Sequence, residues 1–186
     1  MYSNEVTIAR KYVRVLNQAY TKSWNITQLE QLESLKQLLG PRNGVLSYLR
    51  LDCIAEKRKY ELIMKAIKSL ELIETFEPLV FLLQKNKHLA LLYNITAILI
   101  SYIKKQLKVS DIIIYTAHEL QDSDKAKLEE WVKRERHALI VRSEVVIKPT
   151  LIAGFRIEGD GFMGDYSVYR KLHNLKHICM KEGHLS

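Results

Sequence analysis

The sequence is poor in the residues that break, bend or cross-link a chain. Its 186 residues include only three prolines, seven glycines and two cysteines. Few prolines and glycines argue against long loops and disorder. The two cysteines are far apart and outside any CxxC pair, which predicts reduced thiols rather than a disulfide framework. The first residues lack the basic and then apolar pattern of a signal peptide, so no signal or transit peptide is expected.

A long apolar run is also missing. The most apolar stretch covers residues 89–103 and is interrupted by Asn94, Thr96 and Ser101. A membrane-spanning helix needs about 20 consecutive apolar residues. This stretch is therefore predicted to be a buried helix of a folded domain.

Positive charge is present in excess but is unevenly distributed. Residues 1–105 hold 16 Lys and Arg against 9 Asp and Glu, whereas residues 106–186 hold 13 against 12. A basic excess fits nucleic acid, an anionic membrane surface or an acidic protein partner. A nucleic-acid-binding protein that uses the basic helical part is therefore one alternative function, and it predicts an affinity that falls steeply with salt.

Apolar periodicity predicts six helices in the first 108 residues. The predicted helices cover residues 4–20, 27–39, 45–51, 55–72, 75–83 and 87–108. Thr27 and Glu30 fit a capping box, and Leu38 and Leu62 are placed on buried stripes. Pro78 is expected in the first turn of its helix, where a missing N–H costs nothing.

The pattern changes to short β-branched runs after residue 108. Strands are predicted at 111–117, at 139–147, at 150–157 and from Phe162. A helix at 121–136 is expected to be capped by Asp122 or Ser123, and a last helix by Ser167. The predicted fold class is α+β and mostly helical, with a six-helix bundle (1–108) followed by a small mixed β-sheet domain with two helices (109–186).

Patterns that could carry catalysis are weak. Residues 159–164 match G-x-G-x-x-G, but across a hairpin rather than between a strand and a helix, so no dinucleotide site is expected. His173 and His177 have helical i, i+4 spacing and could hold zinc with His184, yet the ligand set is incomplete. A small enzyme remains a second alternative, which predicts a bound nucleotide or metal. We expect no catalytic residue, cofactor or metal.

Three stretches of the chain resemble the delta subunit of F-type ATP synthases, called OSCP in mitochondria. The most specific combines the run Leu151-Ile152-Ala153-Gly154-Phe155 with Asp165-Tyr166-Ser167-Val168 at the start of the last helix. Residues 9–16 resemble the family's Ala-Arg-x-Tyr opening, and residues 116–120 its Thr-Ala-x-x-Leu segment. The chain departs from the family pattern at Tyr166, where a small residue is usual, and at Lys87-His88, where Gly-Arg is common.

The resemblance implies a mechanical, non-catalytic function. Members of this family hold the catalytic α/β head to the b-subunit stalk against the torque of the rotor, as peripheral membrane proteins. For this chain the implied place is the cytoplasmic side of a bacterial inner membrane. The implied partners are α and b subunits, with no nucleic acid and no contact with the membrane except through the complex.

The resemblance also implies roles for particular residues. The family binds N-terminal segments of α subunits in a groove between its first and fifth helices, and the C-terminal domain meets the end of the b stalk. The expected groove residues are Tyr12, Leu16, Leu79 and Leu83, although the same periodicity fits ordinary bundle core. Structural roles in the C-terminal signature are expected for Gly154, Asp165, Ser167 and Arg170.

Overall fold

The computed structural model describes residues 2–19, 24–51 and 53–182, and the side chains of 5–19, 24–51 and 53–176 among them. The chain divides into two compact units, Met1–Leu107 and Lys108–Ser186. This division lies one residue from the boundary expected after residue 108. The described part is mostly helical, with one small mixed sheet of four strands.

The described part of the first unit is mostly helical. The α-helices are α1 (Tyr2–Ala19), α2 (Ile26–Leu38), α3 (Val45–Arg50), α4 (Glu56–Ser69), α5 (Ile73–Lys85) and α6 (Leu92–Leu107). Two 3-10 turns, Pro41–Asn43 and Leu89–Leu91, precede α3 and α6. No helix within the described residues is both long and apolar enough to cross a bilayer.

The core of the first unit lies around α6. Helices α1 and α2 pack against α6, and α4 packs against α5. The apolar stripes that periodicity predicts supply this core, because no single short helix would be stable without burying its stripe. Its fully buried members include Leu29, Leu32, Leu35, Ile63, Ile67, Phe76, Leu83, Leu92, Ile95 and Leu99.

Several predicted details of the first unit are wrong. Helix α2 begins one residue earlier than predicted, and its cap is Asn25, whose N–H donates to Gln28 Oε1 at 3.2 Å. Leu38 and Leu62 are exposed, since packing covers a narrower stripe than the apolar pattern suggests. Pro78 lies in the interior of α5, because that helix begins at Ile73 rather than Thr75.

One buried charge belongs to this core. Lys59 in α4 is only 3% exposed, and its Nζ donates to Glu56 Oε1 at 2.7 Å. The pair is spaced i, i+3, so both side chains lie on one face of the helix. The apolar pattern gave no sign of this burial, because a lysine at this position fits a solvated face equally well.

The second unit is built on a four-stranded sheet. Its strands are β1 (Val109–Thr116), β2 (Ile140–Ile147), β3 (Phe155–Gly159) and β4 (Phe162–Asp165), in the order β2-β1-β3-β4. Strands β1 and β2 are parallel and joined through α7 (Asp122–Arg136), whereas β3 and β4 are antiparallel neighbours. Helix α8 (Val168–Glu182) follows β4.

One face of this sheet packs against α7. The fully buried centre consists of Ile112 and Ile114 of β1, Ile157 of β3 and Val132 of α7. Alternate residues of a strand point to opposite faces, so Ile112 and Ile114 face the helix together. The last residue of β1 and the first residue of β3 lie near the first turns of α7.

The predictions for the second unit need two corrections. The cap of α7 is Gln121 rather than Asp122 or Ser123, since α7 already begins at Asp122. The strand predicted at 150–157 begins only at Phe155, because Pro149–Leu151 forms a 3-10 turn and Ile152 has a positive φ of 66°. The hairpin turn is as predicted, with Gly161 at φ 80°.

Candidate functional site

The four expected groove residues lie on α1 and α5 but differ in their access to a partner. Leu83 is fully buried, and Leu16 and Leu79 are nearly so. Tyr12 is half-buried. The three leucines therefore lie beneath the surface of the unit, and Tyr12 is the member of the set that reaches it.

Tyr12 connects α1 with the end of α5. Its hydroxyl lies 3.0 Å from His88 Nδ1 and accepts a hydrogen bond of 3.0 Å from Asn86 Nδ2. The Tyr12 and His88 rings meet edge to face, with centroids 6.1 Å apart. These contacts hold the middle of α1 near the turn that follows α5.

Three exposed apolar side chains on α1 and α5 were not predicted. Val15 of α1 is 56% exposed, and Phe81 and Leu82 of α5 are 60% and 40% exposed. Val15 lies one turn after Tyr12, and Leu82 lies one turn before Asn86, so both are on the faces that the Tyr12 contact brings together. The row Ile8, Tyr12, Val15 and Ala19, at helical spacing, was the signal in the sequence for the α1 side.

The C-terminal signature residues form a connected turn before α8. The Asp165 carboxylate accepts hydrogen bonds from the Ser167 N–H at 3.0 Å and the Ser167 hydroxyl at 2.6 Å. Ser167 Oγ in turn accepts from the Arg170 N–H at 3.2 Å, which confirms Ser167 as the cap of α8. Arg170 Nη1 donates to the Asp165 carbonyl at 3.3 Å.

Hydrogen bonding decides the ionisation of Asp165. Burial acts to raise the pKa of Asp165, but the hydrogen bonds from Ser167 and the charges of Arg156 and Arg170 outweigh it and hold the pKa below its ordinary value. The turn therefore stabilises the ionised form of Asp165 over the protonated form. Its position suits a structural role rather than proton transfer.

Gly154 is required by its close contact with the same turn. Its φ is +84°, and a Cβ there would lie 2.5 Å from the Tyr166 carbonyl oxygen. Ala153 next to it accepts a hydrogen bond of 2.9 Å from the Val168 N–H. The signature glycine thus lets the segment before β3 lie directly against the start of α8.

Helix α8 presents apolar side chains to solvent. Tyr169, Leu172 and Leu175 are each more than half exposed. His173 stacks on Tyr169, whereas the His177 side chain and His184 lie outside the described residues. No group of three or more His, Cys, Asp or Glu in the described part could hold a metal ion.

The fold and these surfaces define the class of protein. A helical unit is followed by a small mixed sheet, and helices of both units carry exposed apolar side chains. The G-x-G-x-x-G match falls on the β3–β4 hairpin, as predicted. Exposed apolar side chains on helices suit contacts with other proteins, which is typical of a subunit of a larger assembly.

A family model described as ATP synthase delta (OSCP) subunit matches residues 8–178. The match covers most of the chain, which belongs to this family. The chain is accordingly a peripheral-stalk subunit of ATP synthase, and the family is one of structural subunits. Nothing in the match supports the nucleic-acid-binding alternative.

Individual relatives agree with the family. The chain is 26% identical to the chloroplastic ATP synthase subunit delta of Trieres chinensis over 147 residues, 78% of each chain. It is also 26% identical to ATP synthase subunit delta of Mycoplasmoides gallisepticum over 148 residues, which are 80% of this chain and 81% of the relative. A chain of the Toxoplasma gondii mitochondrial ATP synthase hexamer, known from cryo-EM, has a similar fold. The TM-score is 0.62 at 13% identity, covering 92% of this chain and 97% of that one.

Proposed function

We propose that the chain is a non-catalytic stator subunit that ties the catalytic α/β head of a proton-translocating ATP synthase to its b stalk. The six helices of residues 1–108 act as a bundle that binds N-terminal segments of α subunits. Residues 109–186 bind the C-terminal end of the b subunits. The complex carries the chain as a peripheral protein on the cytoplasmic side of a bacterial inner membrane.

The observation that carries the head-binding part is the apolar surface between α1 and α5. Val15 and Leu82, on the faces that the Tyr12 contact brings together, are its exposed residues, beside the half-buried Tyr12. Leu16, Leu79 and Leu83 of the same two helices are buried. An amphipathic helix could lay its apolar face on this surface, as in other helix-in-groove complexes. We name the six residues Tyr12, Val15, Leu16, Leu79, Leu82 and Leu83 the α1/α5 groove.

The stalk-binding part rests on α8. Tyr169, Leu172 and Leu175 are spaced three residues apart and exposed, on the last described helix of the second unit. A helix with an uncovered apolar side gains stability when another helix covers it. A partner that is itself a long helix, such as a stalk, suits this surface.

Tryptophan fluorescence tests the α1/α5 groove. Trp24 is buried beside α1, with its Nε1 donating to Asn17 Oδ1 at 3.3 Å. In a Trp131→Phe version it is the sole tryptophan. We expect a saturable one-to-one change on titration with a peptide of the α-subunit N-terminus. It should persist at about 0.3 M salt, where contacts between exposed charges are screened.

Two variants at equally exposed leucines distinguish binding in a specific groove from non-specific apolar binding. Leu82→Asp should weaken binding at least about tenfold, since it places a charge in an apolar contact. Leu62→Asp on α4 is the control, because Leu62 is 39% exposed and Leu82 is 40% exposed. Equal effects of the two variants, or binding that salt abolishes, would refute the groove.

A further inference from the structure

A cavity of about 380 Å³ opens in the second unit at the carboxyl end of β1. Thr116, Ala117 and Leu120 line one side of it, and Ala153, Gly154 and Phe155 line another. These are the two stretches that resemble family signatures, 116–120 and 151–155. Thr116 and Phe155 are also directly paired between β1 and β3. The two signatures therefore line one cavity of the second unit.

The wall of the cavity is mainly apolar. Leu128 of α7 completes the lining formed by Ala117, Leu120, Ala153 and Phe155. Ala117 is buried, and Leu120, Leu128 and Phe155 are half-buried, so their apolar surfaces remain within reach of an occupant. Burying an aliphatic side chain here would be favourable, because it removes apolar surface of both partners from water.

One polar group in the lining has no partner. Thr116 is 3% exposed, and its Oγ1 has no hydrogen-bond partner among the described residues. A buried hydroxyl without a partner destabilises a protein. Rotation about the Cα–Cβ bond to another staggered rotamer redirects the hydroxyl, so it can bond to a polar group of an occupant. An occupant with an aliphatic side chain next to a backbone amide meets both needs, and that combination is a polypeptide segment.

The rim of the cavity adds a charge requirement. Asp124 pairs with Lys127 at 3.0 Å, which neutralises both charges. Glu119 also lies on the rim and is exposed. Besides His118, the charged side chains of the lining are Glu119, Asp124 and Lys127, so they keep one excess negative charge and favour a basic residue in the occupant.

We infer that this cavity is a socket for a stalk polypeptide, which inserts an aliphatic side chain next to a lysine or arginine. The inference rests on the proposed function, because it takes the occupant from the b subunit. It adds a second contact to the exposed side of α8. It also assigns a binding role to the Thr-Ala-x-x-Leu segment, whose threonine and leucine both line the socket.

Calorimetric titration of the full chain with the membrane-external part of the b subunit from the same organism tests the socket. Ala153→Leu fills the cavity and should weaken binding at least about tenfold, since an inserted aliphatic side chain loses its place. Ala126→Leu on the exposed side of α7 is the matched control and should stay within about twofold. Circular dichroism and thermal unfolding show whether each variant folds.

A second pair of variants tests the hydroxyl and holds even if Ala153→Leu does not fold. Thr116→Val should weaken binding about three- to tenfold, because a hydrogen bond to the occupant is lost. The melting temperature of the free chain should stay the same or rise, since no hydrogen bond is broken there. Thr150→Val, at an exposed threonine of the same unit, should change neither quantity.

The outcomes separate the socket from the proposed function. If both Ala153→Leu and Thr116→Val weaken binding, the result supports the socket. If the natural sequence binds and neither Ala153→Leu nor Thr116→Val weakens that binding, the socket is overturned. The stalk assignment then stays in place. Absence of binding by the natural sequence overturns the stalk assignment and the socket together.

Discussion

Asp165 shows how much of the last turn depends on a single residue. Its carboxylate accepts both hydrogen bonds from Ser167, and Ser167 in turn caps α8. A carboxylate with a lowered pKa is bound more tightly in the folded state than its protonated form. Its contribution to stability is therefore present above the unfolded-state pKa, near 3.8, and is lost as the pH falls through the lower folded-state pKa.

The variant Asp165→Asn tests this dependence. We expect it to lower the free energy of unfolding by about 1 kcal/mol at pH 7, because charge-assisted hydrogen bonds become neutral ones. The difference from the natural sequence should stay constant down to about pH 5 and shrink below about pH 4. Urea unfolding at a series of pH values measures it. Asp160→Asn in the exposed hairpin turn is the control, and a difference that persists unchanged at pH 2.5 would contradict the assignment.

Lys59 is a second residue whose contribution to stability depends on its burial and its ion-pair partner. Its side chain is almost fully buried, whereas that of Glu56 keeps 29% of its surface exposed. Removing one partner of such a pair leaves the other charge uncompensated. Glu56→Ala should therefore cost about 3 kcal/mol or more, and Lys59→Met less, because Met replaces the more buried charge with an apolar side chain of similar length. Equal losses in urea unfolding would argue against this asymmetry.

At the scale of elements, α5 contains an unusual proline. Pro78 is the sixth residue of the helix and cannot donate to the carbonyl one turn earlier. The helix forms nevertheless, since Phe76, Leu79, Val80 and Leu83 are buried. Pro78 itself is exposed, so water can satisfy the free carbonyl. Burial of one face thus outweighs a local backbone defect on the other.

Replacing Pro78 with alanine should stabilise the chain. A regained hydrogen bond and better helix propensity would raise the free energy of unfolding, by up to about 3 kcal/mol. Pro149→Ala is the matched control, because Pro149 lies in the first turn of a 3-10 segment, where the missing N–H costs nothing. Denaturant unfolding of both variants measures the change. A gain no larger than that of Pro149→Ala would show that α5 is bent to suit its proline.

At the scale of the whole molecule, the first unit has a core of its own. Its buried leucines and isoleucines come from helices within residues 1–107, and a domain with its own core can fold alone. The α1/α5 groove also lies within this unit. The unit therefore holds everything that the proposed head contact requires.

A fragment of residues 1–108 should consequently fold and bind. We expect a helical circular dichroism spectrum, cooperative heat unfolding, and affinity for the α-subunit peptide within about threefold of the full chain. The fragment with Leu82→Asp is the negative control. A folded fragment that does not bind, while the full chain does, would place part of the head contact in residues 109–186.

Much of this protein was determined by the sequence alone. Helical spacing of apolar residues and β-branched runs are local signals, and they predicted most of these helix and strand ends to within three residues and the starts of α6 and β3 to within five. The turn glycines and the Ser167 cap are local too, because a positive φ or a capped first turn depends on neighbouring residues. The family resemblance also came from short local motifs, and the family match confirmed it.

Other features were decided only by the tertiary structure. Periodicity could not tell that Leu38 and Leu62 are exposed or that Lys59 is buried, because a stripe is wider than the surface that a neighbouring helix covers. Nor could it place Thr116 next to Phe155, since the pairing of β1 with β3 brings together residues far apart in the chain. Burial and cavities depend on which distant surfaces meet, and no local pattern specifies that.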